Sequence, residues 1–187
     1  MMEAFKILLS KAHAEFRRLR SGELGDNLRA QGISYRVIWG LESYKLKEIA
    51  ERLLPEVDAS AKENGANPSD YRAAYAQILW EEDVRESKML ATRLYPIDKM
   101  APEVATDWST SVRYTELADQ LCMNLLSRTS FAERLVREWL TSGSSDMQKY
   151  KALQIALRLD IAVPQAQEMA KDETLPRCIR TAALKLA

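Results

Sequence analysis

Between Tyr75 and Leu94 the chain reads YAQILWEEDVRESKMLATRL. Ile78, Leu79 and Trp80 close one apolar-faced helix, and Val84, Met89, Leu90 and Leu94 recur at helical spacing on a second. The same phrase returns at DWSTSVRYTELADQLCMNLL and EWLTSGSSDMQKYKALQIALRL, and more weakly at EMAKDETLPRCIRTAALKLA. Trp80, Trp108, Trp139 and Met169 stand 28, 31 and 30 positions apart, a period typical of two-helix repeats. One helix pair of this kind cannot bury its apolar face alone, so neighbouring pairs must stack. The pattern predicts an all-α helical-repeat solenoid, an α-α superhelix of stacked two-helix units. It would be a single domain over residues 1–187, with N-terminal capping helices over 1–64 and about four two-helix repeats over 65–187.

Before the repeats, Phe5, Leu8, Leu9, Ala12 and Phe16 share one face of a helix running from about Glu3 to Arg20. A short second helix ends near Gly32. Gly40 turns the chain, and a third helix buries Leu46, Ile49, Ala50, Leu53 and Leu54 until Pro55 stops it. Val57 to Asp70 reads as a polar linker that closes on an Asn67-Pro68 helix start. Further starts are expected at Pro102, at Ser130 as a cap for Phe131–Leu140, at Ser145 with Asp146, and at Pro164 and Pro176.

Composition supports helix and removes several chemistries. Six glycines, six prolines and abundant Leu, Ala, Glu, Lys and Arg suit an almost wholly helical protein. No run is long and apolar enough for a signal peptide or a membrane span, so a cytoplasmic, soluble protein without membrane attachment is expected. Cys122, Cys178 and the lone His13 make neither a disulfide framework nor a metal site. Gly-rich phosphate loops and Ser/His/Asp arrangements are absent, and no cofactor is expected. Net charge is zero, but residues 65–144 carry 9 basic and 12 acidic side chains, whereas residues 145–187 carry 7 and 5. Any nucleic-acid face is therefore local and involves the C-terminal repeats.

The second helix of each repeat carries more polar side chains than packing requires. Arg85 and Lys88 lie three apart on the first, and Thr115 and Asp119 four apart on the second. Lys151, Gln154 and Arg158 form a stripe on the third, with Lys149 nearby, and Arg177 and Arg180 follow on the fourth. Laid side by side, these helices would offer a basic surface holding one carboxylate; the other reading is an ordinary solvated face with local ion pairs. Trp39, Trp80, Trp108 and Trp139 are read as buried packing, with stacking on DNA as the second reading. Glu116 lies in a first helical turn, where a carboxylate complements the helix dipole.

From Asn27 through LRAQGISYRVIWGLESYKLKEIA, then LWEEDVRESKMLA and the Trp139 segment, the chain resembles the HEAT-like DNA alkylation repair family, the AlkD-like DNA glycosylases. Trp80 followed by Arg85-Glu86 and Ala91, together with Gly32, carries the most specific part of the likeness. The resemblance implies a curved solenoid that cradles duplex DNA. It also implies release of positively charged alkylpurines such as 3-methyladenine and 7-methylguanine, without flipping the base into a pocket. By the same resemblance Asp119 is the catalytic aspartate. Thr115 stands where the family has a tryptophan, Lys151 or a neighbour where it has an arginine, and the family's later tryptophan has no evident equivalent before Ala187. Arg85, Lys88, Lys149, Lys151, Arg158, Arg177 and Arg180 are the expected DNA contacts. The alternative is a non-catalytic HEAT-like scaffold that binds a protein partner or a DNA structure on the same surface.

Overall fold

The computed structural model describes residues 2–141 and 143–187. Among them are eleven α-helices and no strand. Packing divides the chain into two compact units, one extending to Lys99 and the other beginning at Met100.

The first unit holds α1 (Met2–Leu19), α2 (Gly22–Ala30), α3 (Ser43–Glu63), α4 (Pro68–Glu81) and α5 (Arg85–Leu94). The predicted apolar stripe of α1 turns Phe5, Leu8, Ala12 and Phe16 inward, and Phe5 meets the Tyr71 and Tyr75 rings of α4. Helix α3 packs on α1, α4 and α5. The first predicted repeat therefore shares one core with the N-terminal helices.

Pro55 does not end α3, which continues to Glu63 and absorbs the first half of the expected linker. A helix-interior proline costs about 3 kcal/mol. Leu53, Val57 and Ala61 are buried on both sides of it, and burying a Leu or Val side chain is worth about 1.5–3 kcal/mol. Pro55 itself lies on the exposed face beside Glu51, where water can satisfy the carbonyl it leaves unpaired. Only a short turn then leads to α4, whose start is capped as expected. Asn67 Oδ1 accepts from the Ser69 and Asp70 amides at 2.9 and 3.2 Å.

The segment between α2 and α3 is pinned by the corner between α4 and α5. Val37 pairs with Val84 in a single parallel bridge, with Val37 N donating to Asp83 O and Arg85 N to Val37 O. Glu86, in the first turn of α5, is fully buried and accepts from the amides of Trp39 (2.9 Å), Gly40 (3.0 Å) and Leu41 (3.2 Å). Arg85 Nη1 donates to Glu86 at 2.6 Å and to Leu41 O at 3.0 Å. Gly40 sits at φ +72, and a Cβ there would collide with the Ser21 carbonyl, so the chain needs a glycine at this approach.

At the same corner Glu82 accepts from His13 Nε2 (2.9 Å) and Ser87 Oγ (2.6 Å). Burial pushes the Glu82 carboxyl up, but the hydrogen bonds from His13 and Ser87, with the nearby positive charges of His13 and Lys88, outweigh it and hold the group below its ordinary value. A depressed carboxylate contributes stability above its unfolded pKa, and that contribution is lost as pH falls through the folded value. Acid titration of unfolding should therefore show a loss of stability below the ordinary glutamate range, and Glu82→Gln should flatten that part of the curve.

The second unit holds α6 (Pro102–Ser111), α7 (Thr115–Asn124), α8 (Ala132–Trp139), α9 (Asp146–Leu159), α10 (Ala166–Lys171) and α11 (Arg177–Leu184). Helix α9 packs on α7, α8 and α11, and α10 packs on α11. Ser145 caps α9 in a reciprocal box with Gln148 (3.2 and 2.8 Å). Ser130 is not a cap. Helix α8 starts two residues later through backbone bonds alone, Ala132 N to Thr129 O and Leu135 N to Phe131 O. Trp80, Trp108 and Trp139 are buried, as packing requires, whereas Trp39 is half-buried. Among the described residues no helix is long and apolar enough to cross a membrane.

Candidate functional site: the Asp119 face of the second unit

Three of the helices predicted to carry polar stripes, α7, α9 and α11, lie side by side in the second unit, with α9 in the middle. Asp119 projects from the second turn of α7. The inward turn of α7 buries Leu117, Ala118, Leu121 and Cys122, which leaves Asp119 half-buried at the edge of the core. From α9, Tyr150 Oη donates to Asp119 Oδ1 at 2.9 Å. Tyr150 is itself buried, and burial, with the adjacent negative charge, keeps its phenol protonated well above the ordinary tyrosine range. It is therefore a permanent donor to the carboxylate.

Burial raises the Asp119 pKa above the ordinary aspartate value. The Tyr150 hydrogen bond and the positive charges of Arg158 and Lys185 pull it back down, and Glu116 adds to the upward push. The arrangement is a poorly hydrated carboxylate held in one orientation, beside cations that do not neutralise it by direct contact among the described ion pairs. Arg158 is exposed, with its guanidinium folded onto Gln154 (Gln154 O at 2.7 Å, Oε1 at 2.8 Å). Cys122, one turn further along α7, donates its thiol to Lys151 O at 3.7 Å. Full burial pushes that thiol up to about 12, so it is no nucleophile.

The expected DNA contacts divide into two groups. Arg85 is 3% exposed, and its charge is taken up by Glu86 and the Leu41 carbonyl, so it presents no cation to a phosphate. Lys151 is 1% exposed, with Nζ donating to Ser109 O at 2.7 Å and lying over the Trp139 ring at 5.2 Å. It too is turned into the core. Lys88 is half-buried, donates to Trp80 O and lies over the Trp80 ring. Each lysine ammonium reaches a carbonyl in the last turn of another helix, Lys88 at the end of α4 and Lys151 at the end of α6, where the helix dipole favours positive charge. Lys149, Arg158, Arg177 and Arg180 keep solvent contact, Arg180 with its Nε buried and unpartnered. Among the described residues no group of three or more His, Cys, Asp and Glu side chains is placed to hold a metal ion.

A family model described as DNA alkylation repair enzyme matches residues 12–155, well over half of the chain. The chain belongs to the DNA alkylation repair enzyme family. No curated protein and no solved structure is significantly similar to it. The family match spans Asp119 and Tyr150 and stops short of Arg158, Arg177, Arg180 and Lys185. The Arg85-Glu86 pair that carried the likeness in the sequence supports the fold: it clamps the loop before α3 and stands away from any exposed surface.

Tyr150 was not among the residues singled out in the sequence. Its signal was there only indirectly: it precedes Lys151 by one position and so lies on a neighbouring face of α9, but nothing in one-dimensional spacing pairs it with a residue 31 positions earlier. Lys185 was missed for the same reason. Its influence on Asp119 depends on α11 packing against α9.

Proposed function

We propose that this family member binds duplex DNA on the face carrying Asp119, with its helix pairs stacked as HEAT-like repeats, and releases N3- or N7-alkylated purines. The observation that carries the reading is the half-buried Asp119 carboxylate, held by Tyr150 beside Arg158 and Lys185. An alkylated purine is already a cationic leaving group, so cleavage of its glycosidic bond calls chiefly for stabilisation of the positive charge developing on the sugar. A carboxylate withheld from water does this more strongly than an exposed one, because little solvent competes for its field. Tyr150 fixes which oxygen is free, since Oδ1 accepts the phenol and Oδ2 remains for the sugar or for an attacking water. Lys149, Arg158, Arg177, Arg180 and Lys185 supply phosphate contacts, and affinity falls steeply with salt as counterions are released.

The test is release of free base from duplex DNA carrying 7-methylguanine, run beside duplex binding at two salt concentrations. Release by the wild-type protein supports the reading. Salt-sensitive binding without release removes the chemistry and leaves a DNA-binding relative. That second reading is favoured by Thr115, which offers no aromatic face where the family resemblance expects one. Absence of both sinks the proposal.

Tyr150 gives a finer check. The carboxylate must be ionised to act, so release should fall on the acid side of a pH profile, with its limb above the ordinary aspartate value. Tyr150→Phe removes a hydrogen bond that favours the ionised form and should move that limb further up. A limb unchanged in Tyr150→Phe would show that the phenol does not hold the working carboxylate.

A further inference from the structure

Tyr150, Gln154 and Arg158 stand four apart and so share one stripe of α9, on successive turns. Tyr150 reaches across to Asp119, and Gln154 reaches along the helix to Arg158. Both bonds of the second pair use the same nitrogen, Arg158 Nη1, which donates to Gln154 O at 2.7 Å and to Gln154 Oε1 at 2.8 Å. A guanidinium holds its N–H donors in a rigid planar fork, and Nη1 carries two of them. Both are therefore taken. Nε and Nη2, which form the other edge of the fork, make no hydrogen bond among the described residues, and no carboxylate there forms an ion pair with Arg158. Beyond burial and the Tyr150 bond, Arg158 is the strongest charge acting on Asp119; beyond burial, it is also the strongest acting on the Cys122 thiol. The guanidinium is thus held toward α7, beside the carboxylate, with one donor edge unused.

We propose that Gln154 is a positioning residue for phosphate recognition: it fixes Arg158 so that the Nε–Nη2 edge takes, side-on, the backbone phosphate joined to the sugar that faces Asp119. This rests on the reading of the Asp119 face as a DNA-binding surface, and it assigns one phosphate within that surface. Two parallel N–H bonds to one phosphate fix orientation as well as supplying charge. A phosphate and the sugar it is joined to are covalent neighbours, so anchoring the first limits where the second can lie against Asp119 Oδ2. An exposed arginine left free must be ordered when it binds, and holding the fork beforehand removes part of that cost. A lysine in this place would bring the charge without the fork.

The experiment measures duplex binding across a salt series for the wild-type protein, Gln154→Met, Arg158→Met and the double variant, with a thermal melt of each to confirm folding. Methionine keeps the length of glutamine and removes the side-chain acceptor. The bond to the Gln154 backbone carbonyl stays, but a single bond leaves the fork free to turn. Gln154→Met is expected to weaken binding about threefold to tenfold at low salt with the salt slope unchanged, because the cation remains and only its hold is lost. Arg158→Met should lower the slope by about one and silence the Gln154 change, so that the double variant binds like Arg158→Met alone. A glutamine that serves only the fold would act equally in both backgrounds.

Wild-type affinity in Gln154→Met, a Gln154 effect that persists without Arg158, or an unchanged slope in Arg158→Met overturns the proposal and leaves the DNA reading in place. A wild-type protein that does not bind duplex DNA removes both.

Discussion

Asp119→Asn is expected to lower release of 7-methylguanine from duplex DNA by about 10²–10³-fold, the usual cost of deleting one preorganised electrostatic group. The same variant should melt at the wild-type temperature or slightly above it. The two halves of this result have one cause. Burial holds the Asp119 pKa above its unfolded value, so ionisation costs the folded state free energy, and that cost appears as pH rises through the folded pKa. Asparagine removes the charge and keeps an oxygen that can accept from Tyr150. Single-turnover base release and thermal melts of both proteins at neutral pH are the measurements. Full activity in Asp119→Asn would dismiss the carboxylate from the chemistry. Lost activity with a large fall in melting temperature would mean that Asp119 is chiefly structural.

The second large effect lies far along the chain and concerns stability alone. Glu86→Ala should destabilise the first unit by about 3–5 kcal/mol, because it strands a buried guanidinium and three backbone amides together. Arg85→Met should cost less. Without Arg85 the Glu86 carboxylate still accepts from Trp39, Gly40 and Leu41, so its buried oxygens keep three hydrogen bonds. Urea unfolding followed by circular dichroism would rank the two variants, and an Arg85→Met protein less stable than Glu86→Ala would reverse this account of which partner matters. Neither variant should change the acid limb of base release, since neither residue belongs to the Asp119 cluster.

How much of this was legible beforehand depends on the range of the interaction. Helix existence follows from local rules, so the Asn67 and Ser145 caps, the Pro102 start and the inward faces of α1 and α3 could be read directly. Pro55 shows where a local rule loses. A missing backbone donor is a fixed cost, and the sequence does not state how much apolar surface on either side will be buried to offset it. Ser130 is a milder case of the same kind, a good capping residue passed over because backbone turns start α8 two residues later.

The site divides along the same line. Asp119 was reached through spacing and family likeness, because its position on α7 follows from helical periodicity. The direction of a charged side chain does not. Arg85 and Lys151 carry full charges in polar-looking stripes, yet each finds a partner some forty residues away and turns inward, Arg85 to the Leu41 carbonyl and Lys151 to Ser109. The sequence by itself determined that this chain is helical, where most of its helices begin, and which family it resembles, since all of these rest on residues within a turn or two of one another. Only the tertiary structure decided which cations reach solvent, that Tyr150 holds Asp119, and that Lys151 turns into the core. Those outcomes depend on desolvation and on partners supplied by distant helices, which no local pattern records.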